Sequence, residues 1–219
     1  MKNSICTPIV AFLLLLLIAA DERPKDAPLF QAGPNGKVEI FNGKDLTGWD
    51  KDADYWSVAD GEIVAKATEK HPYSYLTTQK SVADFRLIVE MKLTPNSENS
   101  GIQFRSARIG KNEMKGMQAD AGKGWWGHLY EEHERALLTK KSGEQWVKED
   151  DWNTYEILAV GSKVRTAING HLCVDMEDEK FDRRGVIGFQ LHAGGPEEVR
   201  FRKLELELNP KFELKTVKE

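Results

Sequence analysis

A chain of 219 residues, 40% hydrophobic and 30% charged, has the size and composition of one globular domain with a core of its own. Its 31 Lys and Arg against 35 Asp and Glu give a formal charge of −4, which leaves no basic excess for nucleic acid. The first six residues carry one positive side chain, Lys2, and an apolar run from Ile9 to Ala20 ends against Asp21-Glu22-Arg23. That pattern predicts a secretory signal peptide over residues 1–20 and export to the periplasm or the exterior. The run is shorter than the ~20 apolar residues of a membrane span, so no stable membrane insertion is expected after cleavage. Cys6 precedes the run instead of following it, which argues against a lipoprotein. Cleavage leaves 30 basic and 35 acidic residues, a charge of −5, and Cys173 as the one cysteine, so no internal disulfide can form.

Residues 21–36, with Pro24, Pro28, Gly33 and Pro34, read as an extended lead-in. From Val38 onward short alternating segments are separated by Gly, Asn-Gly and Asp-Gly, and no sustained 3.6-residue period appears. Asp60-Gly61 and Asn169-Gly170 predict two hairpins, because both dipeptides accept the positive φ values of type I′ turns. Phe85, Leu87, Val89, Met91 and Leu93 alternate with Arg86, Ile88, Glu90 and Lys92, which predicts a strand with one face in the core. Leu129 to Lys140 is the one helical candidate and is read here as a strand followed by a loop. Further strands are expected over Trp152–Val160 and Val199–Leu208. In the latter, Val199 and Phe201 fall out of phase with Leu204, Leu206 and Leu208, and a β-bulge near Arg202-Lys203 would reconcile them. Many short strands at regular spacing predict an all-β, antiparallel two-sheet jelly-roll sandwich over residues 37–209, with 210–219 as a C-terminal tail. An immunoglobulin-like sandwich is disfavoured because the paired cysteines that flank a Trp are missing.

Three segments place polar pairs opposite an apolar face. Gln103 and Arg105 oppose Ile102 and Phe104; Gln118 and Asp120 oppose Met117, Ala119 and Ala121; Gln190 and His192 oppose Ile187, Phe189 and Leu191. If the three strands are neighbours, these six polar residues share one sheet surface, and Gly188 would keep part of it low enough for a ligand. After Asp120, the turn Gly122-Lys123-Gly124 delivers Trp125 and Trp126, and Tyr130, Glu131 and Glu132 follow. Aromatic rings beside carboxylates and amides suit a sugar, whose C–H faces stack and whose hydroxyls need polar partners. An ordinary half-exposed antiparallel sheet produces the same alternation, so pattern alone leaves a site and a plain solvent face both open. No nucleophile elbow, phosphate loop or dinucleotide fingerprint occurs, and no cofactor is required. Glu131, Glu132 and His133 are candidate ligands for a divalent metal, although zinc spacing is absent.

Phe41-Asn-Gly-Lys-Asp-Leu-Thr-Gly-Trp49 resembles the opening signature of the 3-keto-disaccharide hydrolase domain family. Asn99-Ser-Gly-Ile-Gln-Phe-Arg105, Gly116-Met-Gln-Ala-Asp120, Trp125-Trp126-Gly127, Leu129-Tyr-Glu-Glu132, Asp151-Trp-Asn153, Ile168-Asn-Gly170 and Gly185 through Pro196 resemble its later blocks in the same order. The likeness runs from Val38 to Leu208. It implies a concanavalin A-like jelly roll in an exported protein acting on sugars oxidised at C3. Many members carry an acidic residue where Gln118 stands, and this chain is similar to the Gln-Ala-Asp subgroup.

A ketone at C3 acidifies the C2 proton, so a base can remove it, the C1 group can depart, and water can add. This chemistry needs a base, an acid and an enolate stabiliser. Residue type and facing assign Asp120 as base, Glu132 or Glu131 as the acid, and Arg105 and His192 as the groups polarising the ketone. Trp125, Trp126 and Tyr130 would hold the ring, with Gln103, Gln118 and Gln190 on the same surface. Two alternatives remain: hydrolysis of an unoxidised glycoside by two carboxylates, and a carbohydrate-binding module without catalysis.

Overall fold

The computed structural model describes residues 27–34, 38–139 and 142–217. The expected signal peptide at 1–20, part of the lead-in and the last two residues of the tail lie outside them. The described chain forms β1 (Trp49–Lys51), β2 (Trp56–Ala59), β3 (Glu62–Ala67), β4 (Ser74–Val82) and β5 (Phe85–Thr94). It continues through β6 (Asn99–Gly110), β7 (Glu113–Gly122), β8 (Leu129–Glu132), β9 (Ala136–Leu137) and β10 (Asn153–Val160). It closes with β11 (Lys163–Ile168), β12 (His171–Glu177), β13 (Gly185–Leu191) and β14 (Glu197–Leu208). Helical structure among the described residues is one 3-10 turn, Glu144–Trp146.

The strands pair antiparallel in two seven-stranded sheets, the expected jelly-roll sandwich. The front sheet runs β1-β4-β13-β6-β7-β8-β9 and the back sheet β12-β11-β10-β5-β14-β3-β2. Between them lie the inward residues of the alternating strands, among them Leu87, Val89 and Met91 of β5, Ile102 and Phe104 of β6, and Ile187 and Phe189 of β13. Phe189 stacks on Phe201 of the opposite sheet at 3.9 Å and 6°, joining the layers at their centre. Each such buried side chain is worth roughly 1.5–3 kcal/mol.

Both hairpins form as read. Asp60 and Gly61 take φ of 54° and 76° between β2 and β3, and Asn169 and Gly170 take 49° and 84° between β11 and β12. The bulge in β14 is present as well: Lys203 has φ 52° and the register against β5 shifts between Arg202 and Glu205. That extra residue returns Leu206 opposite Leu87 and Leu208 opposite Phe85. The segment after Leu129 is strand, turn and short strand, β8 and β9. The C-terminal segment is tied down more firmly than a tail: the backbone N–H groups of Lys215 and Thr216 donate to the Glu156 carboxylate at 2.8 Å each.

Candidate functional site

The site is built by register. Gln190 of β13 lies opposite Tyr75 of β4 and Gly101 of β6, Gly101 lies opposite Asp120 of β7, and Gln118 lies between Gln103 and Tyr130. Since the alternate residues of these strands fill the core, their polar partners face outward together. They floor a cleft of 270 Å³ that Asp120, Gln118 and Asn99 share with Tyr130 and Glu132 of β8. Tyr73, His192 and Trp125 complete its wall. Larger hollows occur elsewhere, one of 430 Å³ on the back sheet among them. There Glu207 is already bonded to Arg86 and Lys215.

Asp120 is held from both sides. Its N–H donates to His128 O at 3.1 Å, and its carbonyl accepts the Tyr155 hydroxyl across the core at 3.2 Å. Its Oδ1 accepts Gln118 Nε2 at 2.7 Å, while Oδ2 is buried without a hydrogen-bond partner among the described residues. Gln118 reaches Asp120 by lying across Gly101, where a Cβ would sit 2.6 Å from Gln118 Cγ and Cδ. Burial raises the Asp120 pKa from 3.8 to about 7, the Gln118 hydrogen bond opposes the rise, and the negative Glu132 adds to it. Burial raises Glu132 as well.

On the opposite wall, His192 Nδ1 lies 2.9 Å from Ala193 O and Nε2 lies 3.0 Å from the Tyr73 hydroxyl. A carbonyl can only accept, so Nδ1 carries the hydrogen, and in the neutral ring Nε2 accepts from Tyr73. Burial lowers the His192 pKa, which favours that neutral ring. Trp125 is 40% exposed and meets Tyr130 edge-on at 6.4 Å. The two rings form the aromatic side of the cleft.

Arg105, Trp126, Glu131 and Gly188 do not take the parts expected of them. Arg105 is not on this surface: β6 loses register between Phe104 and Ala107, and Arg105 takes φ 48°. Its guanidinium is buried against Ala83 O, Gly161 O and the Asp84 carboxylate, and burial lowers its pKa to about 10. Trp126 turns the other way from Trp125 and is 1% exposed, with its indole N–H on Asn96 Oδ1 at 2.8 Å. Glu131 shares the inward phase of Leu129, is buried, and binds Arg135, whereas Tyr130 and Glu132 face the cleft. Gly188 makes room for protein and not for ligand, since its missing Cβ would meet Thr77 Cγ2 at 3.2 Å and Gln103 Cβ at 3.3 Å.

Gln103 and Gln190 have the expected phase but are wholly buried beneath the cleft, so they support it without touching a ligand. Tyr73 and Asn99 were missed. The alternation of Asn99 with the later residues of β6 pointed to Asn99, while Tyr73 precedes β4 and had no such signal. Glu131 and Glu132 diverge, so with His133 they make no common ligand set. No group of three or more His, Cys, Asp or Glu among the described residues is placed to hold a metal ion. No described helix is long and apolar enough to cross a membrane.

A Parabacteroides distasonis protein, described provisionally as a glycosyl hydrolase, is similar at TM-score 0.58 and 19% identity, covering 80% of this chain and 95% of its own. Carbohydrate-binding module CBM66 of Bacillus subtilis is similar at TM-score 0.58 and 16% identity, covering 73% and 95%. At these identities the likeness is one of fold. No curated protein matches the chain. The 3-keto-alpha-glucoside-1,2-lyase-like domain family matches residues 36–207. The chain therefore belongs to the 3-keto-alpha-glucoside-1,2-lyase-like, or 3-keto-disaccharide hydrolase, family.

Proposed function

We propose that the cleft cleaves 3-keto-glycosides by removing the C2 proton with Asp120. The observation that carries this reading is a buried carboxyl with one oxygen tied and the other unpartnered beside an aromatic wall, its pKa raised to about 7. A base poised there is ionised enough to act at neutral pH and basic enough to take a proton from carbon.

In the proposed sequence, Asp120 Oδ2 takes the C2 proton and the electron pair moves to the C3 oxygen as an enolate. The enolate collapses, the C1–O bond breaks, and the leaving oxygen takes a proton from Glu132, whose raised pKa favours the acid form. Water then adds its hydroxyl to C1 and gives its proton to the Glu132 carboxylate, while Asp120 returns a proton to C2, which makes the overall change a hydrolysis and restores both groups. The burial of Arg105 leaves enolate stabilisation to the Asn99 amide at the cleft wall, since the Tyr73 hydrogen is already given to His192. His192, with Nδ1 committed to Ala193, orients the Tyr73 hydroxyl. Trp125 and Tyr130 stack on the sugar, and the small cleft suits one pyranose ring with its leaving group directed outward. The signal-peptide pattern supports export of this activity, and sequencing the N-terminus of protein from its host, expected at or near Asp21, checks that step.

The test is turnover of a 3-keto-glucoside and its unoxidised parent, run in heavy water with a control for unaided exchange of the product. Cleavage of the keto sugar alone, with deuterium at C2, is expected. Cleavage with the original C2 hydrogen retained rejects proton loss to solvent as an obligatory step, and equal cleavage of the unoxidised parent overturns the elimination and favours two-carboxylate displacement. Binding of both sugars without turnover of either assigns a carbohydrate-binding module instead.

A further inference from the structure

Beneath the cleft, three glutamines connect Asp120 to two hydroxyl groups. Ser106 Oγ donates to Gln103 Oε1 at 2.7 Å, Gln103 Nε2 to Gln118 Oε1 at 2.9 Å, and Gln118 Nε2 to Asp120 Oδ1 at 2.7 Å. On a second branch Gln118 Nε2 approaches Gln190 Oε1 at 3.5 Å, and Gln190 Nε2 donates to the Tyr75 hydroxyl at 3.0 Å. Ser106, Gln103 and Gln190 are all buried, so bulk water cannot substitute for a lost partner. In this sense of the amides every donor on the first branch points toward Asp120, which is the arrangement an ionised carboxylate requires.

An amide presents a donor and an acceptor in the same plane, so rotating it by half a turn exchanges the two without moving the side chain. A hydroxyl reverses by rotating its hydrogen. Both branches end in such hydroxyls. If Oδ1 carries a proton, that O–H can donate to Gln118 Oε1 once Gln118 has turned. Gln118 Nε2 then donates to Gln103 Oε1, and Gln103 Nε2 to Ser106 Oγ. The Ser106 hydrogen has acceptors already in place, Phe104 O at 3.0 Å and Met117 O at 3.2 Å. On the second branch the Tyr75 O–H donates to Gln190 Oε1, and Gln190 Nε2 to Gln118 Oε1. Each polar group keeps a partner in both senses. A proton on Oδ2, by contrast, would have no acceptor among the described residues in the resting protein.

We propose that Ser106, Gln103, Gln118, Gln190 and Tyr75 form a reversible hydrogen-bond chain that turns over as a unit when Asp120 changes protonation state, parking the resting proton on Oδ1 and leaving Oδ2 unprotonated. These five are positioning residues and act on the sugar only through Asp120. The other titratable groups around the carboxyl are Tyr130 and Glu132 from β8, Tyr73 preceding β4, His192 at the end of β13, and Tyr155 across the core. None of them bonds to Gln103 or Ser106 in this structure, so the reversal follows Asp120 alone. The inference deepens the reading of Asp120 as the base, but it requires only that Asp120 titrate.

The test is NMR of the side-chain amides in the purified, substrate-free protein between pH 5 and pH 9. The Gln103 Hε2 protons are expected to show contacts to the Gln118 side chain above the midpoint and to Ser106 Hβ below it. That exchange should share the Asp120 midpoint near 7. Asp120→Asn should freeze Gln103 in one sense at every pH, and Gln118→Met should leave Asp120 titrating while Gln103 no longer follows. Contacts from Gln103 to Gln118 that persist on both sides of the midpoint overturn the chain while leaving Asp120 free to be the base. Reversal in a protein that cleaves no 3-keto sugar would uphold the chain and reject the catalytic reading.

Discussion

The carboxylates on the outer face of the back sheet and Asp120 on the front sheet are treated in opposite ways. On the back sheet Glu90 accepts Arg202 and Lys203 at 2.7 Å each, Glu62 lies 3.0 Å from Arg200, and buried Glu156 lies 3.0 Å from Arg86. Arg202 also sits 3.8 Å over the Trp152 ring. On the front sheet, Asp120 is as deeply buried but meets an amide and no cation. The consequence is a difference in acidity. Burial works to raise Glu90, but hydrogen bonds from Lys203 and Arg202 outweigh it and its pKa falls, whereas burial wins at Asp120. A carboxylate supplied with cations is part of the scaffold. One buried without them is held in an unfavourable state of the kind that gathers at functional sites; Glu197, raised to about 8 by burial, shares that state outside the cleft, so it is the cleft around Asp120 that distinguishes it.

The largest expected effect breaks the front face. Asp120→Asn keeps size and shape but removes the base, and turnover of a 3-keto-glucoside should fall ~10²–10⁴-fold. Near-normal turnover, with activity lost instead in Glu132→Gln or His192→Ala, would move the base elsewhere. Breaking the back face should damage stability and spare chemistry. Glu156→Ala takes one of two carboxylates from buried Arg86, leaves the N–H groups of Lys215 and Thr216 without their acceptor, and should cost ~3–5 kcal/mol in urea unfolding. Its kcat/KM under folding conditions should be unchanged.

The same substitution of Asp120 sharpens the contrast when stability is followed with pH. The folded-state pKa is about 7 against an ordinary 3.8, so between these values the native protein holds a proton that the unfolded chain has lost. Stability therefore falls as pH rises through that window and is lowest above the folded pKa; three units correspond to a ceiling of ~4 kcal/mol. Asp120→Asn escapes this cost, so its Tm advantage over the parent should grow from pH 5 to pH 8. An advantage that stays constant would mean that Asp120 is not protonated in the folded protein. Glu90, with its pKa lowered, has the opposite sign: its contribution is present above the ordinary glutamate range and fades as pH drops through the folded value. The smallest effect belongs to the exposed end of that network. Lys203→Gln should change stability by no more than ~1 kcal/mol, since Lys203 is largely in water.

Strand phase was legible wherever the backbone stayed regular, because a period of two assigns every side chain to a face. Met117-Gln118-Ala119-Asp120 and Ile187 to Gln190 could be read in this way, and so could the slip at Arg202-Lys203, since leucines must return to the core. The same alternation excludes Glu131, which shares the phase of Leu129, from the face of Tyr130 and Glu132, although Glu131 stood beside Glu132 as a candidate acid. Arg105 was not, because a residue at positive φ in a register shift no longer obeys the alternation. Trp125 and Trp126 are equivalent in sequence, and only the turn between Gly122 and Gly127 sends one to the cleft and its neighbour to the core.

Local chemistry, then, determined the all-β class, both hairpins, the opposed apolar and polar faces and the presence of Asp120 among the outward residues. These follow from φ preferences and from alternation within a few neighbouring positions. Tertiary structure alone decided that β13, β6 and β7 lie side by side, that Tyr73 arrives beside His192, and that Asp120 loses water without gaining a cation. Those outcomes depend on strand order and on what covers each group, and a carboxyl's acidity is set by the solvent and charges around it, which no stretch of sequence contains.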